Sequence, residues 1–308
     1  MDLSIVIPTY NEEGNIEKLY AEIASALSTT KTKHEIVFVD DGSSDNTFKV
    51  LENLAKKDSA VKIIKFRRNY GQTAAMLAGL QNAKGDFVVT MDADLQNDPK
   101  DIPKLLKKLN EGYDLVCGWR MNRRDTFGKR ISSKLSNILM SFLMDLNIHD
   151  SGCTLRAYRK EILENFKIYG ETHRYIPAII SSQGGKVAEV AVNHRERHAG
   201  KTKYGLARLP KGLLDLITLK FISTYGSRPI HVFGGFGLGL FGLGFLGGLY
   251  LTYQKFALGY AIANRPLLML VMLLLILGAL FVMNGFIAEL LIRNRETQSY
   301  KIEKIVGK

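Results

Sequence analysis

The 308-residue sequence predicts a doubly wound α/β domain followed by two membrane-spanning helices. Two observations predict this architecture. In residues 1–120, near-continuous apolar runs alternate with helical patterns, which is typical of a mostly parallel sheet that helices cover on both faces. Towards the C-terminus, Pro229–Gln254 and Pro266–Ala288 contain no Lys, Arg, Asp or Glu. Each of these stretches is long enough to cross a bilayer as a helix.

Five apolar runs in the first 120 residues are the predicted strands. Buried parallel strands have both faces covered, so their sequences lack the polar alternation of a half-exposed sheet. The runs are LSIVIP (Leu3–Pro8), HEIVFVD (His34–Asp40), VKIIKF (Val61–Phe66), DFVVTMD (Asp86–Asp92) and YDLVCGW (Tyr113–Trp119).

Two of the predicted helices lie over Asn15–Leu27 and Asp101–Gly112. Asp98 and Pro99 precede the second one, as a capping residue followed by a proline at the first helical position. In a doubly wound sheet, ligands bind beyond the carboxyl ends of the strands. The first, second and fourth strands end in PTYNEEGN, DDGSSDNT and DADLQ, which are rich in acidic, glycine and small polar residues. The sequence therefore predicts a ligand site at these three strand ends.

The composition favours an anionic partner. With 42 Lys and Arg against 30 Asp and Glu, the net charge is +12, which suits nucleic acid, phosphorylated metabolites or an acidic membrane surface. Cys117 and Cys153 lack metal-ligand spacing and indicate a reducing compartment, with a single disulfide as the alternative. The N-terminus runs directly into a strand pattern, so no cleavable signal is predicted.

The two charge-free stretches predict a transmembrane hairpin, with a buried core helix as the alternative. Lys211, Lys220 and Arg228 precede the first stretch, and five cations lie between residues 293 and 308. The connection between the stretches carries only Lys255 and Arg265. Because positive residues stay on the cytoplasmic side, both termini and the α/β domain are predicted to be cytoplasmic.

Between the domain and the hairpin, Leu206–Ile222 places apolar and polar residues on opposite helical faces. This pattern predicts a helix lying on the bilayer surface, with packing against the domain as the alternative. The predicted division is an α/β domain over 1–205, an interfacial helix over 206–228, a hairpin over 229–292 with spans 229–254 and 266–290, and a cytosolic tail over 293–308.

The first span also carries glycines at GxxxG spacing, Gly235 with Gly239 and Gly244 with Gly248. This spacing permits close helix contact, and a homo-oligomer formed through the hairpin is a possible consequence. Lipid-facing glycines without a partner are the alternative.

Six motifs carry a resemblance to a known family. VIPTYNEEGNI, VDDGSSDNT, RRNYGQTAA, MDADLQNDP, SGCTLRAYRK and RHAGKTKYG occur in this order, followed by the predicted hairpin. Together they resemble family 2 glycosyltransferases, in particular dolichyl-phosphate mannose synthase and bacterial polyprenyl-phosphate glucosyltransferases. The resemblance implies a GT-A fold. It also implies metal-dependent, inverting transfer of one hexose from a nucleotide sugar to a polyprenyl phosphate.

The resemblance assigns Asp92 and Asp94 to catalysis. It makes Asp94 and Gln96 ligands of Mg²⁺ or Mn²⁺, with Asp92 beside the sugar and the metal. Alternation past the strand end can bring the three side-chain oxygens to one side. A hard cation held by carboxylates would neutralise the charge that develops on the leaving pyrophosphate.

The resemblance also implies a nucleotide pocket in the loops after the first two strands. Its predicted residues are Pro8, Tyr10, Glu12, Asp40 and Asp41, with Asp40 recognising the base. A tyrosine can cover a base or a ribose, and a carboxylate can accept hydrogen bonds from base N–H groups.

Basic residues are expected to hold phosphate. Arg120, Arg130 and Ser133 match positions that bind donor or acceptor phosphate in the resembling enzymes. Arg197 and Lys203 match an R-x-x-G-x-S/T-K segment that closes over the site. Guanidinium groups suit phosphate oxygens because they can bind two of them at once. Two phosphate-bearing substrates account for the positive charge better than nucleic acid does.

A lipid phosphate acceptor removes the need for a general base. Its second pKa is near 6, by analogy with other phosphomonoesters, so it is an anion at pH 7. A sugar hydroxyl acceptor would instead have to lose a proton as it attacks. UDP-glucose is the predicted donor, with GDP-mannose and UDP-N-acetylhexosamines as alternatives.

Three other functions are less consistent with the sequence. A processive polysaccharide synthase would carry a Q-x-x-R-W segment and more spans, whereas the only tryptophan is Trp119, outside such a segment. A glycoside hydrolase would need Asp92 and Asp94 about 5 Å or more apart on opposite sides of a sugar. An inactive nucleotide-binding adaptor would bind the donor without turnover.

Overall fold

A computed structural model of the chain describes residues 2–28, 32–121, 148–163, 172–195, 228–261 and 265–293, with residues 218, 220, 221, 224 and 225 between them. The chain divides into an α/β unit, Met1–Lys220, and a helical unit, Phe221–Lys308. The predicted domain boundaries stay predictions, since most of residues 206–228 lie outside the described ranges.

Seven described strands form one sheet in the order β3-β2-β1-β4-β6-β5-β7. All of them run parallel except β6, which is antiparallel to β4 and β5. The mostly parallel sheet confirms the predicted α/β class. The strands are β1 Leu3–Thr9, β2 His34–Asp40, β3 Val61–Lys65, β4 Phe87–Thr90, β5 Leu115–Trp119, β6 Arg156–Arg159 and β7 Val187–Ala191.

The sheet has a core on each face. Ile5 and Ile7 of β1 belong to one buried cluster and Val6 to the other, because successive strand residues point to opposite faces. The described helices of the α/β unit are α1 Ile16–Leu27, α2 Thr47–Lys57, α3 Gln72–Asn82, α4 Ile102–Leu109 and α5 Ile176–Ser182, with 3₁₀ turns at Pro99–Asp101, Lys160–Leu163 and Thr172–Tyr175.

The first five strands and helices α1 and α4 lie where the sequence predicts them, to within a few residues. Asp98 caps the turn before α4, because its Oδ1 accepts the Lys100 N–H at 3.1 Å. The direction of β6 and the pairing of β7 with β5 were not predicted. β7 has only partly buried or exposed side chains, so it lacks the apolar signal of the central strands.

Both cysteines are free thiols buried on opposite faces of the sheet, so the alternative of a disulfide is wrong. Burial raises the pKa of Cys117 to about 12 and that of Cys153 to about 11. At neutral pH both remain protonated and pack as small apolar side chains.

The strand order places a crevice beside β1. The chain runs outward from β1 through β2 to β3 and then returns to place β4 on the other side of β1. At such a switch point, the loops that leave the carboxyl ends of two neighbouring strands diverge and open a crevice. Here the crevice lies beyond Thr9 and Thr90.

The helical unit contains α6, Ile230–Ala257, and α7, Pro266–Arg293, which pack against each other. Both are long and apolar enough to cross a membrane. Only 17% and 11% of their most apolar stretches are buried, which favours membrane spans over core helices of a water-soluble fold. The two helices fit a membrane protein.

Backbone meets backbone where α6 and α7 cross. A Cβ atom on Gly237 would lie 2.7 Å from the Gly278 carbonyl oxygen, so this approach requires glycine. Of the glycines in the predicted spacing, a Cβ on Gly244 would lie about 3.0 Å from Leu275 of α7. A Cβ on Gly235 or Gly239 would meet no atom within 4 Å among the described residues.

Candidate active site

The loops after β1 and β2 are joined to each other at the carboxyl edge of the sheet. The Asn11 N–H donates to the Ser43 hydroxyl at 3.0 Å. The Glu13 carboxylate accepts the Asn46 N–H at 2.8 Å, and Asp45 accepts the Glu13 N–H at 3.4 Å. Glu13 and Asp45 therefore connect the two loops and fix the wall of the crevice.

Three predicted nucleotide residues lie on the β1 side of this wall. Pro8, Tyr10 and Glu12 are all partly exposed. The Glu12 N–H donates to the Thr47 hydroxyl at 2.8 Å, and Glu12 Oε2 accepts from the Asn15 amide at 2.6 Å. Part of the Glu12 carboxylate thus stabilises the start of α1.

Asp41 binds the segment that leads into α3. Its two oxygens accept the N–H groups of Tyr70, at 2.7 Å, and Gly71, at 2.9 Å. Burial raises the pKa of Asp41, and the two N–H donors offset this only in part. The neighbouring Gly42 has φ +71°, and a Cβ there would lie 2.5 Å from the Arg68 carbonyl carbon. Only glycine permits this close packing.

Asp40, at the end of β2, is fully buried and keeps one carboxylate oxygen open. Oδ1 accepts the Ser43 N–H at 3.0 Å. Oδ2 has no hydrogen-bond donor in the described part of the chain. A buried carboxylate oxygen without a donor is unfavourable. A ligand N–H, such as one on a nucleotide base, would satisfy it.

Asp92, two residues beyond β4, is held through both of its oxygens. The Gln72 amide donates to Oδ1 at 2.8 Å and the Thr154 hydroxyl donates to Oδ2 at 2.7 Å. Gln72 directly follows Gly71, so one short segment contacts the carboxylates that follow β2 and β4. These contacts fix the orientation of the Asp92 carboxylate at the crevice.

Asp94 lies in a strained turn. It is 6% exposed, and its Oδ1 accepts the Gln96 N–H at 3.2 Å. Leu95 between them has φ +61°, a conformation that bulky side chains rarely adopt and that costs on the order of 1–3 kcal/mol. The Gln96 carbonyl accepts the Arg195 N–H at 2.9 Å, which helps to hold the turn.

The residues of this turn fit a divalent cation that substrate also helps to bind. Among the described residues, no three His, Cys, Asp or Glu side chains form a cluster that could hold a metal ion. Mg²⁺ and Mn²⁺ prefer hard oxygen ligands, and Mg²⁺ commonly uses one or two carboxylates together with substrate phosphates. Asp94, Gln96 and Asp92 can supply such oxygens at the crevice.

Arg120, directly after β5, forms an ion pair with Asp150. Its Nε lies 2.6 Å from Oδ2 and its Nη2 lies 2.8 Å from Oδ1. Burial alone would lower the pKa of Arg120, but the hydrogen bond and charge of Asp150 outweigh it and raise the pKa. The guanidinium therefore stays charged beside the crevice.

Arg195 joins the β4 turn to two other parts of the unit. Its guanidinium lies 2.6 Å from the Glu22 carboxylate of α1 and 2.9 Å from that of Asp98. His194 forms an isolated bridge with Asn97. The chain that follows β7 thus returns to the β4 turn, just before the basic segment predicted to close over the site.

The structure places nine predicted site residues along one edge of the sheet. It describes no position for the other four, Arg130, Ser133, Arg197 and Lys203, which lie outside the described residues. All of these roles stay predictions. The nine are Pro8, Tyr10, Glu12, Asp40, Asp41, Asp92, Asp94, Gln96 and Arg120.

Four residues at this edge were not predicted from the sequence: Gln72, Asp150, Thr154 and Arg195. Gln72 and Thr154 lie inside RRNYGQTAA and SGCTLRAYRK, and a polar side chain within such a segment is a usable signal. Asp150 and Arg195 lie just outside two of the motifs, and their partners are distant in sequence.

The chain is similar in sequence to known proteins over most of its length. The family model described as "Glycosyl transferase family 2" matches residues 4–166. The chain is 40% identical over 298 residues to dodecaprenyl-phosphate galacturonate synthase of Rhizobium johnstonii, covering 95% of this chain and 88% of that protein. It is 37% identical over 310 residues to undecaprenyl-phosphate 4-deoxy-4-formamido-L-arabinose transferase of Pseudomonas paraeruginosa, covering 99% and 90%.

Solved structures share the fold. Glucosyl-3-phosphoglycerate synthase of Mycobacterium tuberculosis, in complex with Mn²⁺ and UDP-glucose, superposes with a TM-score of 0.57 at 21% identity, covering 71% of this chain and 78% of that one. At this identity the likeness concerns the fold alone. The match to the family model and the extent of the similarity to both relatives show that the chain belongs to glycosyl transferase family 2.

Proposed function

We propose that this glycosyltransferase transfers one sugar from a nucleotide sugar to a polyprenyl phosphate. The observation that carries the proposal is the group of carboxylates at the β1–β4 switch point, where Asp40 keeps an open oxygen and Asp92 and Asp94 line the crevice. The names of the two relatives supply the acceptor class, since both are named for sugar transfer to a polyprenyl phosphate.

In this proposal the nucleotide lies across the β1 and β2 loops. The base donates an N–H to Asp40 Oδ2, and Tyr10 covers the base or the ribose. The sugar extends towards Asp92, and the diphosphate lies between Asp94 and Arg120. A bound Mg²⁺ or Mn²⁺, held by Asp94 and Gln96, would neutralise charge on the leaving diphosphate.

The reaction is a single displacement. An anionic oxygen of the lipid phosphate forms a bond to the anomeric carbon as the bond from that carbon to the diphosphate oxygen breaks. The nucleoside diphosphate leaves with the electron pair, and the anomeric configuration inverts. No proton has to move, because the lipid phosphate is already ionised at pH 7. The protein orients the reactants and stabilises charge.

The contacts of Asp92 suit a role in positioning. Each Asp92 oxygen accepts one side-chain hydrogen bond, from Gln72 and from Thr154. These donors keep the carboxylate oriented, so we assign Asp92 to positioning and charge stabilisation at the donor sugar.

The identity of the donor sugar is the most detailed part of the proposal. UDP-glucose is the prediction from sequence. The relatives at 40% and 37% identity are named for galacturonate and formamido-arabinose. Those names favour a modified sugar over glucose, so the donor panel has to include all three classes.

The membrane arrangement is also proposed. The hairpin of α6 and α7 would anchor the chain, and the positive flanks support a cytoplasmic location for the α/β unit and both termini. A homo-oligomer through the outward-facing Gly235 and Gly239 stays a prediction, which a single monomeric species in mild detergent would contradict.

The test uses purified full-length protein in mild detergent with undecaprenyl phosphate and Mg²⁺ or Mn²⁺. Radiolabelled UDP-glucose, UDP-galacturonate, UDP-4-deoxy-4-formamido-L-arabinose, UDP-N-acetylglucosamine and GDP-mannose are supplied one at a time. We expect one donor to transfer its label to the lipid phase, and the transfer to stop when the metal is chelated. Absence of lipid-linked label with every donor, while UDP is bound, would contradict the proposal.

A further inference from the structure

We infer that Asp150 is a positioning residue, which holds the Arg120 guanidinium in the orientation that binds a phosphoryl oxygen of substrate. This inference rests on the proposed function, because it assigns Arg120 a phosphate-bearing ligand. It is drawn from the contacts of residues 148–150, a segment for which no functional role is predicted from the sequence.

The geometry of the ion pair leaves one part of the guanidinium available. Asp150 binds the Nε and Nη2 edge side-on, and its Oδ2 also accepts the Arg120 N–H at 3.3 Å. Nη1 makes no hydrogen bond to any residue that the structure describes. Asp150 thus occupies one edge of the guanidinium and leaves the Nη1 N–H groups for another acceptor.

The pair is almost closed off from solvent. The Asp150 side chain is 3% exposed and that of Arg120 is 13% exposed. Such burial is unfavourable for an arginine without a counter-ion. A bidentate partner makes it possible and limits the side chain to one orientation.

Glu189 of β7 holds Asp150 in turn. Glu189 Oε1 accepts the Asp150 N–H at 3.0 Å. Its Oε2 accepts the His149 N–H at 2.9 Å and lies 2.9 Å from His149 Nδ1. Because β7 pairs directly with β5, this carboxylate connects the edge strand to Arg120 at the end of β5.

Trp119 gives the segment a second attachment that does not use the Asp150 carboxylate. The rings of Trp119 and His149 stack with centroids 4.3 Å apart and planes 19° from parallel. We therefore expect the segment to keep its place when the Asp150 side chain is changed. Trp119 is the only tryptophan in the chain, so its fluorescence reports on this segment directly.

Arg120 lies near Asp92, which the proposal places at the donor sugar. The start of β6 lies between the ends of β4 and β5, and Thr154 just before it donates to Asp92. Asp92 is close enough for its charge to contribute to the raised pKa of Arg120. The ligand of Nη1 is therefore a phosphoryl oxygen near the donor sugar, on either the donor diphosphate or the lipid phosphate.

A double-mutant cycle tests the inference. If Asp150 acts only through Arg120, replacing Asp150 matters only while Arg120 is present. We expect Asp150→Asn and Arg120→Ala each to lower kcat/KM by about 10-fold to 100-fold, and the double variant to be no worse than Arg120→Ala. A merely structural role for Asp150 would lower the activity of the Arg120→Ala protein further.

Asp114→Asn is the matched control. Asp114 lies at the opposite end of β5, where its Oδ2 accepts the Lys186 N–H at 2.8 Å. The same chemical change at the other end of β5, away from the crevice, should leave kcat/KM within twofold. The thermal midpoint and the Trp119 emission of each variant show whether it folds. If Asp150→Asn does not fold, Glu189→Gln takes its place in the cycle and should give a smaller, equally non-additive loss.

Binding measurements identify the phosphate and do not depend on turnover. The Kd for UDP with Mn²⁺ and the Kd for undecaprenyl phosphate are measured for wild type, both single variants and the double variant. Weaker UDP binding assigns Arg120 to the donor, and weaker lipid phosphate binding assigns it to the acceptor. The inference is wrong if Asp150→Asn matches wild type in both constants and in kcat/KM, or if its effect persists in the Arg120→Ala protein. Failure of wild type to glycosylate the lipid while the cycle on UDP stays non-additive would contradict the proposed function alone.

Discussion

The two sides of the crevice hold their carboxylates by different means. On the nucleotide side, after β1 and β2, backbone N–H groups bind Asp41, Asp45 and Glu13. On the transfer side, after β4 and β5, side chains bind two of the carboxylates: Gln72 and Thr154 bind Asp92, and Arg120 binds Asp150. Asp94 is the exception on this side, since it accepts the Gln96 N–H.

The difference separates stability from activity. A backbone N–H that loses its acceptor disturbs the path of the chain itself, so changes on the nucleotide side should lower stability. A side chain that loses its partner can move without displacing the backbone, so changes on the transfer side should lower activity first.

Asp94→Asn should have the largest effect. The substitution removes a charge beside the leaving diphosphate but keeps the shape of the side chain. We expect kcat to fall by about 100-fold to 1,000-fold, which is the loss typical of a removed electrostatic stabiliser. The thermal midpoint should change little, since the Asn oxygen can still accept the Gln96 N–H. Radiolabel transfer and Trp119 fluorescence on heating measure the two quantities.

Metal titration distinguishes this loss from a simple defect in folding. Asp94→Asn should need far more Mn²⁺ than wild type to reach half of its residual rate. Turnover like that of wild type at ordinary Mg²⁺ concentrations would contradict the assignment of Asp94 as a metal ligand.

Asp41→Asn tests the nucleotide side. An Asn side chain has one oxygen for the two N–H groups of Tyr70 and Gly71, so one of them would face an NH₂ group. We expect a loss of about 1–3 kcal/mol in unfolding free energy, the cost of an unsatisfied buried donor. Under conditions where the variant is folded, its kcat should stay within a fewfold of wild type. A large fall in kcat with an unchanged thermal midpoint would reverse the contrast between the two sides.

Thr154→Val should give a smaller loss on the transfer side. Valine has nearly the shape of threonine but lacks the hydroxyl that donates to Asp92 at 2.7 Å and accepts from the Asn97 amide at 3.2 Å. One such hydrogen bond is worth about 1 kcal/mol, so we expect kcat/KM to fall about fivefold. Thr154→Ser keeps the hydroxyl and is the control. An equal loss in both variants would mean that the methyl group matters more than the hydrogen bond.

The sequence predicts the two sides unequally. The nucleotide side follows buried strands with strong apolar signals, and its acidic residues come in compact motifs after β1 and β2. The transfer side depends on contacts between distant positions: Gln72 with Asp92, Thr154 with Asp92, and Arg195 with Glu22, 173 residues apart. No local pattern marks such pairs.

Strand β6 shows the same limit in the fold. It runs against its neighbours, and this brings Thr154 to the edge of the sheet where the parallel strands end. Its four residues include two arginines, one of which, Arg156, is buried and donates to the carbonyls of His173 and Ser151. Neither the direction of the strand nor the burial of this arginine follows from hydrophobic pattern, because both depend on the completed sheet.

The smallest expected effect is the response of Asp41 to pH. Burial raises the pKa of Asp41 above its ordinary value although two N–H groups donate to it. A raised pKa in the folded state means that folding disfavours the ionised form. The contribution of Asp41 to stability is then fully present below the pKa of the unfolded chain and is lost as pH rises through the folded value. The gap in thermal midpoint between wild type and Asp41→Asn should therefore widen slightly as the pH is lowered from 7 towards 4. A gap that narrows would show that the N–H donors outweigh burial and favour the ionised form of Asp41. The nucleotide side would then stabilise a charged Asp41, as the transfer side stabilises a charged Arg120.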